Sequence, residues 1–183
     1  MLDAIINFDT ESLLWIQETL RFPFLNPVMI FITSIGNYAF VWIVISVSLV
    51  IPQKTRKIGI MSLVALLVSF LLNNLILKDV VGRIRPYEVI SGLELLVNPA
   101  TDLSFPSGHA GNSFAVAVVL FQKLPRKYGI PALVLASLIG ISRLYIGIHY
   151  PTDVLAGAVI GTLIAIFIVK LFEYSTSTRS TSE

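Results

Sequence analysis

Cysteine is absent from this 183-residue chain, and histidine occurs only twice. The first absence excludes disulfides and thiol chemistry and leaves the redox compartment open. The second confines imidazole chemistry to His109 and His149. Charge is scarce too: 13% of residues are charged against 55% hydrophobic, with a mean hydropathy of +0.84, which excludes an ordinary soluble domain. A net charge of +2 is too small to argue for nucleic acid. The first twenty residues hold no Lys or Arg and no compact apolar run before a small-residue cleavage site, so no signal peptide is expected. The membrane spans themselves should target the chain.

What is present in abundance is apolar sequence, and a bilayer needs about 20 such residues per helical span. Pro27 to Ile51 and Ile58 to Leu77 contain no charged residue. Leu103 to Phe121 holds only His109, while Tyr128 to Ser142 and Val154 to Val169 are uncharged but short. The last three reach full length only by including part of a polar cluster at one end, which places those clusters near the interface. Residues 3 to 21 mix Leu and Ile with Asp3, Asp9, Glu11, Glu18 and Arg21, a pattern that suits an amphipathic interfacial helix, with a sixth span as the alternative. The expected fold is therefore all-α: a polytopic bundle of five spans plus this N-terminal helix. It forms one domain over residues 1–172, and the Ser- and Thr-rich stretch 173–183 is expected to be a disordered tail.

Two loops carry most of the basic charge, one with Lys54, Arg56 and Lys57 and one with Lys123, Arg126 and Lys127. Two spans separate them, so they share a side, and the positive-inside rule makes it cytoplasmic. Three polar clusters then converge on the outer face. Ionisable groups where hydrocarbon segments end are costly, so their default reading is a functional site.

The first cluster pairs Lys78 with Arg85, seven residues apart and nearly on one helix face if the segment stays helical, although Pro86 disfavours helix at Arg85. Two cations there suit a bound anion; a lone terminal cation would more simply snorkel to the interface, which is the expectation for Arg83. In the second cluster, Pro106-Ser107-Gly108-His109, proline suits the first helical position, and the free N–H groups behind it form an anion site. Gly108 would let a phosphate approach the backbone, and the Ser107 hydroxyl could donate to it. The third cluster runs from Ser142-Arg143 to His149 and Asp153, with Pro151 opening the final helix. A carboxylate four residues after a histidine can hold one ring nitrogen and leave the other free as base or nucleophile, or it can simply favour the helix N-terminus. Zinc is disfavoured, because Lys78, Arg85 and Arg143 would set a cation among cations. The same cations can stabilise a phosphoryl group without a metal.

These clusters, in this order and with these internal spacings, resemble the three signatures of the type-2 phosphatidic acid phosphatase superfamily, over residues 78 to 153. The resemblance implies a membrane hydrolase of lipid phosphates that needs no cofactor. His149 would be the nucleophile that forms a phosphohistidine, Asp153 would orient its ring, and His109 would be the general acid. Lys78, Arg85, Ser107, Gly108 and Arg143 would bind the phosphate. The small size resembles the bacterial branch, implying phosphatidylglycerophosphate as substrate slightly ahead of undecaprenyl pyrophosphate. The outer-face stretch from Tyr87 to Ser104 is the candidate reader of the remaining headgroup.

A transporter could show similar polar groups, but its sites usually lie near the midplane of a repeated architecture, and this chain has no convincing internal repeat. A binding protein without turnover would need the anion pocket but no nucleophile. The expected partners are a lipid phosphate and the bilayer, with no obligate protein partner. Gly157 and Gly161, like Ala132, Ala136 and Gly140, form small-residue faces read as internal packing.

Overall fold

The computed structural model describes residues 2–180, with side chains described for residues 3–175. All regular structure among them is helical. It comprises α1 (Leu2–Leu20), α2 (Asn26–Ile35), α3 (Phe40–Val50), α4 (Arg56–Phe70), α5 (Lys78–Val81), α6 (Pro86–Val89), α7 (Gly108–Lys123), α8 (Arg126–Tyr145) and α9 (Pro151–Ser180). Three stretches are long and apolar enough to cross a membrane: Arg56–Val89, Arg126–Tyr145 and Pro151–Ser175. The pair α2 and α3, bent by 51° at its junction, makes a fourth if counted as one span.

α7 is the hub, and its composition explains why. Gly111, Ala115 and Ala117 present almost no side-chain bulk, so α4, α8 and α9 all pack against it. The two glycines expected to mediate close packing do so inside the chain: a Cβ on Gly157 would fall 2.4 Å from the Ser107 carbonyl, and one on Gly161 would fall 2.2 Å from the Gly111 carbonyl. One apolar core joins Trp42, Leu66, Val116, Leu120, Ala136 and Ile139 across α3, α4, α7 and α8. A second joins Met61, Val119, Ile164 and Ile168 across α4, α7 and α9. Burying such a side chain contributes roughly 1.5–3 kcal/mol relative to water. In lipid that term is absent between helices, and close packing with interhelical hydrogen bonds replaces it. The Trp42 indole N–H, for example, donates to Ser113 Oγ at 2.8 Å. The outer face of α9 carries Leu155, Val159, Leu163 and Phe167, all exposed, as a lipid-facing surface requires.

Three expectations change. The run from Pro27 to Ile51 is not one straight helix: a tight turn at Asn37–Ala39 breaks it, with Tyr38 and Ala39 in the left-handed region at φ 52° and 55°. Such residues cost of order 1 kcal/mol each, so the neighbouring packing must hold them there. The second span does not run evenly into Lys78, because residues Leu71–Leu77 widen into a π-helical segment, a device common at functional sites. α1 does not lie free on the interface. Asp9 and Leu13 are buried, and the helix packs on α8 and α9. α9 is described through Ser180, and residues 181–183 lie outside the described residues.

Candidate active site

The turn between α2 and α3, the starts of α5 and α7, the residue before α6, the stretch between α6 and α7, and the end of α8 with the loop that follows it meet around a cavity of about 820 Å³. Lys78, Arg85, Gly108, His109, Arg143 and His149 all line it. Ser107 and Asp153 do not; both are fully buried behind the wall.

Lys78 and Arg85 do not share a helix face. Gly82 adopts φ +65° and ends α5 at Val81, as a C-terminal glycine commonly does, and the chain is extended by Arg85. The two cations meet instead through a third group, Asp102. Its carboxylate pairs with Lys78 Nζ through Oδ2 and accepts from Arg85 Nη2 at 2.5 Å through Oδ1, and its carbonyl accepts from Arg85 Nε at 3.0 Å. Burial raises the Asp102 carboxyl, but the Lys78 hydrogen bond and the charges of Lys78 and Arg85 outweigh it and bring the group down to about 2.

Arg85 Nη1 donates to the Ile148 carbonyl at 2.8 Å and lies 3.0 Å from His149 Nε2. The same nitrogen lies 3.4 Å from His149 Nδ1, so the guanidinium sits against the imidazole near both ring nitrogens. Nδ1 faces Asp153 Oδ2 at 3.4 Å, where a carboxylate can hold the ring proton. Burial pushes the His149 pKa well below 6.5, and the Arg85, Arg143 and Lys78 charges push it the same way.

Asp153 is itself clamped. Oδ2 accepts from Ser104 Oγ at 2.5 Å and from the Tyr150 N–H at 3.0 Å, and Oδ1 accepts from Arg83 Nη1 at 2.7 Å. Asp153 thus makes a helix-start contact with the Tyr150 N–H and also faces the His149 ring. Arg83 is no snorkelling residue. It bridges Asp153 to Asp9 of α1, which it reaches at 2.6 Å, and its guanidinium lies 3.8 Å above the Tyr150 ring. Asp9 Oδ1 also accepts from the Thr152 N–H at 3.0 Å.

His109 has different neighbours. Its Nε2 is 3.0 Å from Asn37 Oδ1, in the turn between α2 and α3, and 3.5 Å from Arg143 Nη1. Arg143 Nη1 donates to Thr33 Oγ1 at 2.6 Å, whereas its buried Nε has no hydrogen-bond partner. Gly36 lets α2 come this close, since a Cβ there would sit 3.0 Å from His109 Cδ2.

A family model for the PAP2 superfamily matches residues 59–177. The chain belongs to the PAP2 superfamily. An undecaprenyl-diphosphatase of Sulfolobus acidocaldarius is 35% identical over 147 residues, 80% of this chain and 70% of that one. Phosphatidylglycerophosphatase B of Bacillus subtilis is 36% identical over 167 residues, covering 84% of this chain and 78% of the relative. The crystal structure of a transmembrane PAP2-type phosphatidylglycerolphosphate phosphatase from Bacillus subtilis superposes with a TM-score of 0.76 at 32% identity, covering 94% of this chain and 88% of that one. With its apolar helices, the chain is a PAP2 membrane lipid phosphatase, a phosphoric monoester hydrolase.

Within that family frame, two sequence-based expectations shift. Pro106 does not open α7; Ser107 caps it, accepting from the Ala110 N–H at 3.4 Å, while its own N–H donates to the Asp153 carbonyl at 3.0 Å. A Cβ on Gly108 would meet the Asn74 side-chain amide, which would have to turn away to make room for it. Asp102, Asp9, Thr33 and Asn37 were all missed. For Asp9 a signal existed, a carboxylate inside an otherwise apolar stripe of α1. Thr33 and Asn37 offer no such signal, being neutral residues within an apolar run.

Proposed function

We propose that this phosphatase hydrolyses a terminal phosphate from a lipid headgroup through a phosphohistidine on His149. The observation that carries the reading is the His149 geometry: a buried imidazole with Nδ1 facing Asp153, on the wall of a cavity that Lys78, Arg85 and Arg143 also line. As phosphate enters, Arg85 Nη1 cedes Nε2 to the phosphorus. Nε2 forms the N–P bond as the ester P–O bond breaks, and protonated His109 gives its proton to the departing oxygen. Water then attacks the phosphohistidine and loses a proton to His109, and inorganic phosphate leaves His149 restored. Lys78, Arg85 and Arg143 stabilise the charge of both transition states, aided by Gly108, where the backbone approaches closely, and by the buried Ser107 that sets the start of α7. No cofactor or metal enters the scheme, and no protein partner is needed for it.

The favoured substrate is phosphatidylglycerophosphate, by analogy with the Bacillus subtilis relatives. The Sulfolobus relative supports undecaprenyl diphosphate as the second reading. We read five spans, with α7 as the short central one, and the cavity on the outer face. The basic residues around 54–57 and 123–127 then lie at the far, cytoplasmic end, where Lys123 pairs with Glu173. Purified protein in detergent, given a panel of lipid phosphates and diphosphates, should release inorganic phosphate in excess EDTA as well as without it. Failure on every lipid phosphate would overturn the substrate reading, and loss in EDTA restored by magnesium would overturn the metal-free mechanism. Single cysteines at Ser91 and Gln53, labelled on intact cells with an impermeant reagent, should react at 91 only; the reverse would invert the orientation.

A further inference from the structure

Lys78 and Arg85 are among the most buried charged groups in the chain, at 5% and 3% exposure, and the cavity contains them both. Taking one partner away from a buried ion pair is strongly destabilising, because it leaves the other charge uncompensated. Between turnovers the partner of both cations is Asp102, which lies on the stretch between α6 and α7 and keeps its side chain half exposed. Arg85 has little left to offer a second anion. Nε and Nη2 are engaged by Asp102, and Nη1 is shared between the Ile148 carbonyl and His149. Arg143 is in the opposite state: one nitrogen is tied to Thr33 and the buried Nε has no partner. The cradle is thus one cation with an open donor and two whose donors already face a carboxylate.

We propose that Asp102 is a specificity-determining residue, an internal carboxylate that substrate phosphate must displace from Lys78 and Arg85. This rests on the phosphatase reading above. The consequence follows from charge. A phosphomonoester carries close to two negative charges above its second pKa of about 6, and replaces a single carboxylate charge with a net gain. A phosphodiester carries one and gains little by the exchange. The surrounding bilayer is built of phosphodiester headgroups, and a dephosphorylated product that keeps its diester is one of them. Asp102 lets the site stay charged and folded in that environment while declining singly charged headgroups. An exposed loop carboxylate suits the task, because it can swing into water when displaced and return when phosphate leaves.

The test compares binding of two anions to the full-length protein in detergent at pH 8: inorganic phosphate, largely dianionic there, and phosphatidylglycerol in mixed micelles, a monoanionic diester. Calorimetry reads both for the wild type, Asp102→Asn and Asp102→Ser. Removing the internal carboxylate removes the same displacement cost from both anions, so phosphate and phosphatidylglycerol should each bind roughly tenfold or more tightly, and a diester that the wild type holds only weakly should become a clear binder. A variant that binds the two anions no more tightly than the wild type, or tightens only one of them, overturns the proposal. Two substitutions of different size guard against a local packing defect. The readout does not depend on turnover: if the tightening occurs in a protein that releases no phosphate from any lipid, the exchange stands and the phosphatase reading falls.

Discussion

His149 and His109 line one cavity, yet they are held by different kinds of residue. Around His149 every partner is charged or is backbone: Arg85, Asp153 and, behind it, Arg83 and Asp9. Around His109 the contacts are Asn37, Gly36 and an Arg143 that Thr33 steadies, all but Arg143 neutral and all from the broken helix pair α2–α3 or the end of α8. The charged end is a buried ion network, locked in one arrangement because releasing any member strands another. The neutral end is lighter and more adjustable. That division suits the proposed roles, since a nucleophile must be held in one tautomer, whereas an acid must take and give a proton.

The largest break in the comparison should come from the histidines themselves. His149→Ala should lower turnover by thousands-fold or more on every substrate, because it removes the atom that bonds phosphorus. His109→Ala should cost about 10² to 10⁴-fold on a lipid phosphate and much less on an aryl phosphate, whose leaving group departs without a proton. Steady-state rates on both substrates check this, and rescue of His149→Ala rather than His109→Ala by the aryl ester would reverse the assignment.

Next in size is the network behind His149. Arg83→Met leaves Asp9 and Asp153 buried without their shared cation, and breaking such a pair typically costs about 3–5 kcal/mol. Thermal unfolding in detergent should show a drop of that order; a change within noise would mean the network is not what holds α1 to the site. Asn37→Ala, at the neutral end, should cost only about tenfold in kcat with little change in unfolding, the usual scale for a residue that orients another. An Asn37 variant as damaged as Arg83→Met would erase the distinction between the two ends.

The smallest effect is on pH dependence. Burial and nearby cations depress His149 below the ordinary histidine value of 6.5, so as pH falls through 6.5 the ring stays neutral and remains a nucleophile. The acid limb of kcat/KM on an aryl phosphate, corrected for the titration of the substrate, should therefore lie below 6.5. For stability the sign runs the other way: below 6.5 the unfolded histidine takes up a proton that the folded one refuses, so the fold weakens as pH drops. Asp102, depressed to about 2, contributes stability that is present above its unfolded value near 3.8 and is lost as pH falls toward 2. An acid limb at or above 6.5 would show that the cations do not act on His149 as the geometry requires.

Much of this was legible beforehand. Charge in an apolar chain is rare enough that each instance carries information, and Lys78, Arg85, His109, Arg143, His149 and Asp153 stand out against hydrocarbon for that reason. All-α architecture, a bundle with its site at the ends of helices, and the start of α9 at Pro151 followed from apolar run lengths and helix-start chemistry. The pairing of those charges did not follow. Arg83 and Arg85 are two positions apart, yet one faces Asp9 and Asp153 while the other faces Asp102 and His149. Asp9 lies more than seventy residues from Arg83, and Thr33 more than a hundred from Arg143, so no local spacing could join them. The sequence by itself determined which residues could not be left in lipid without a purpose. The tertiary structure alone decided which carboxylate neutralises which cation, because burial makes each charge find a partner in space while leaving its distance along the chain unconstrained.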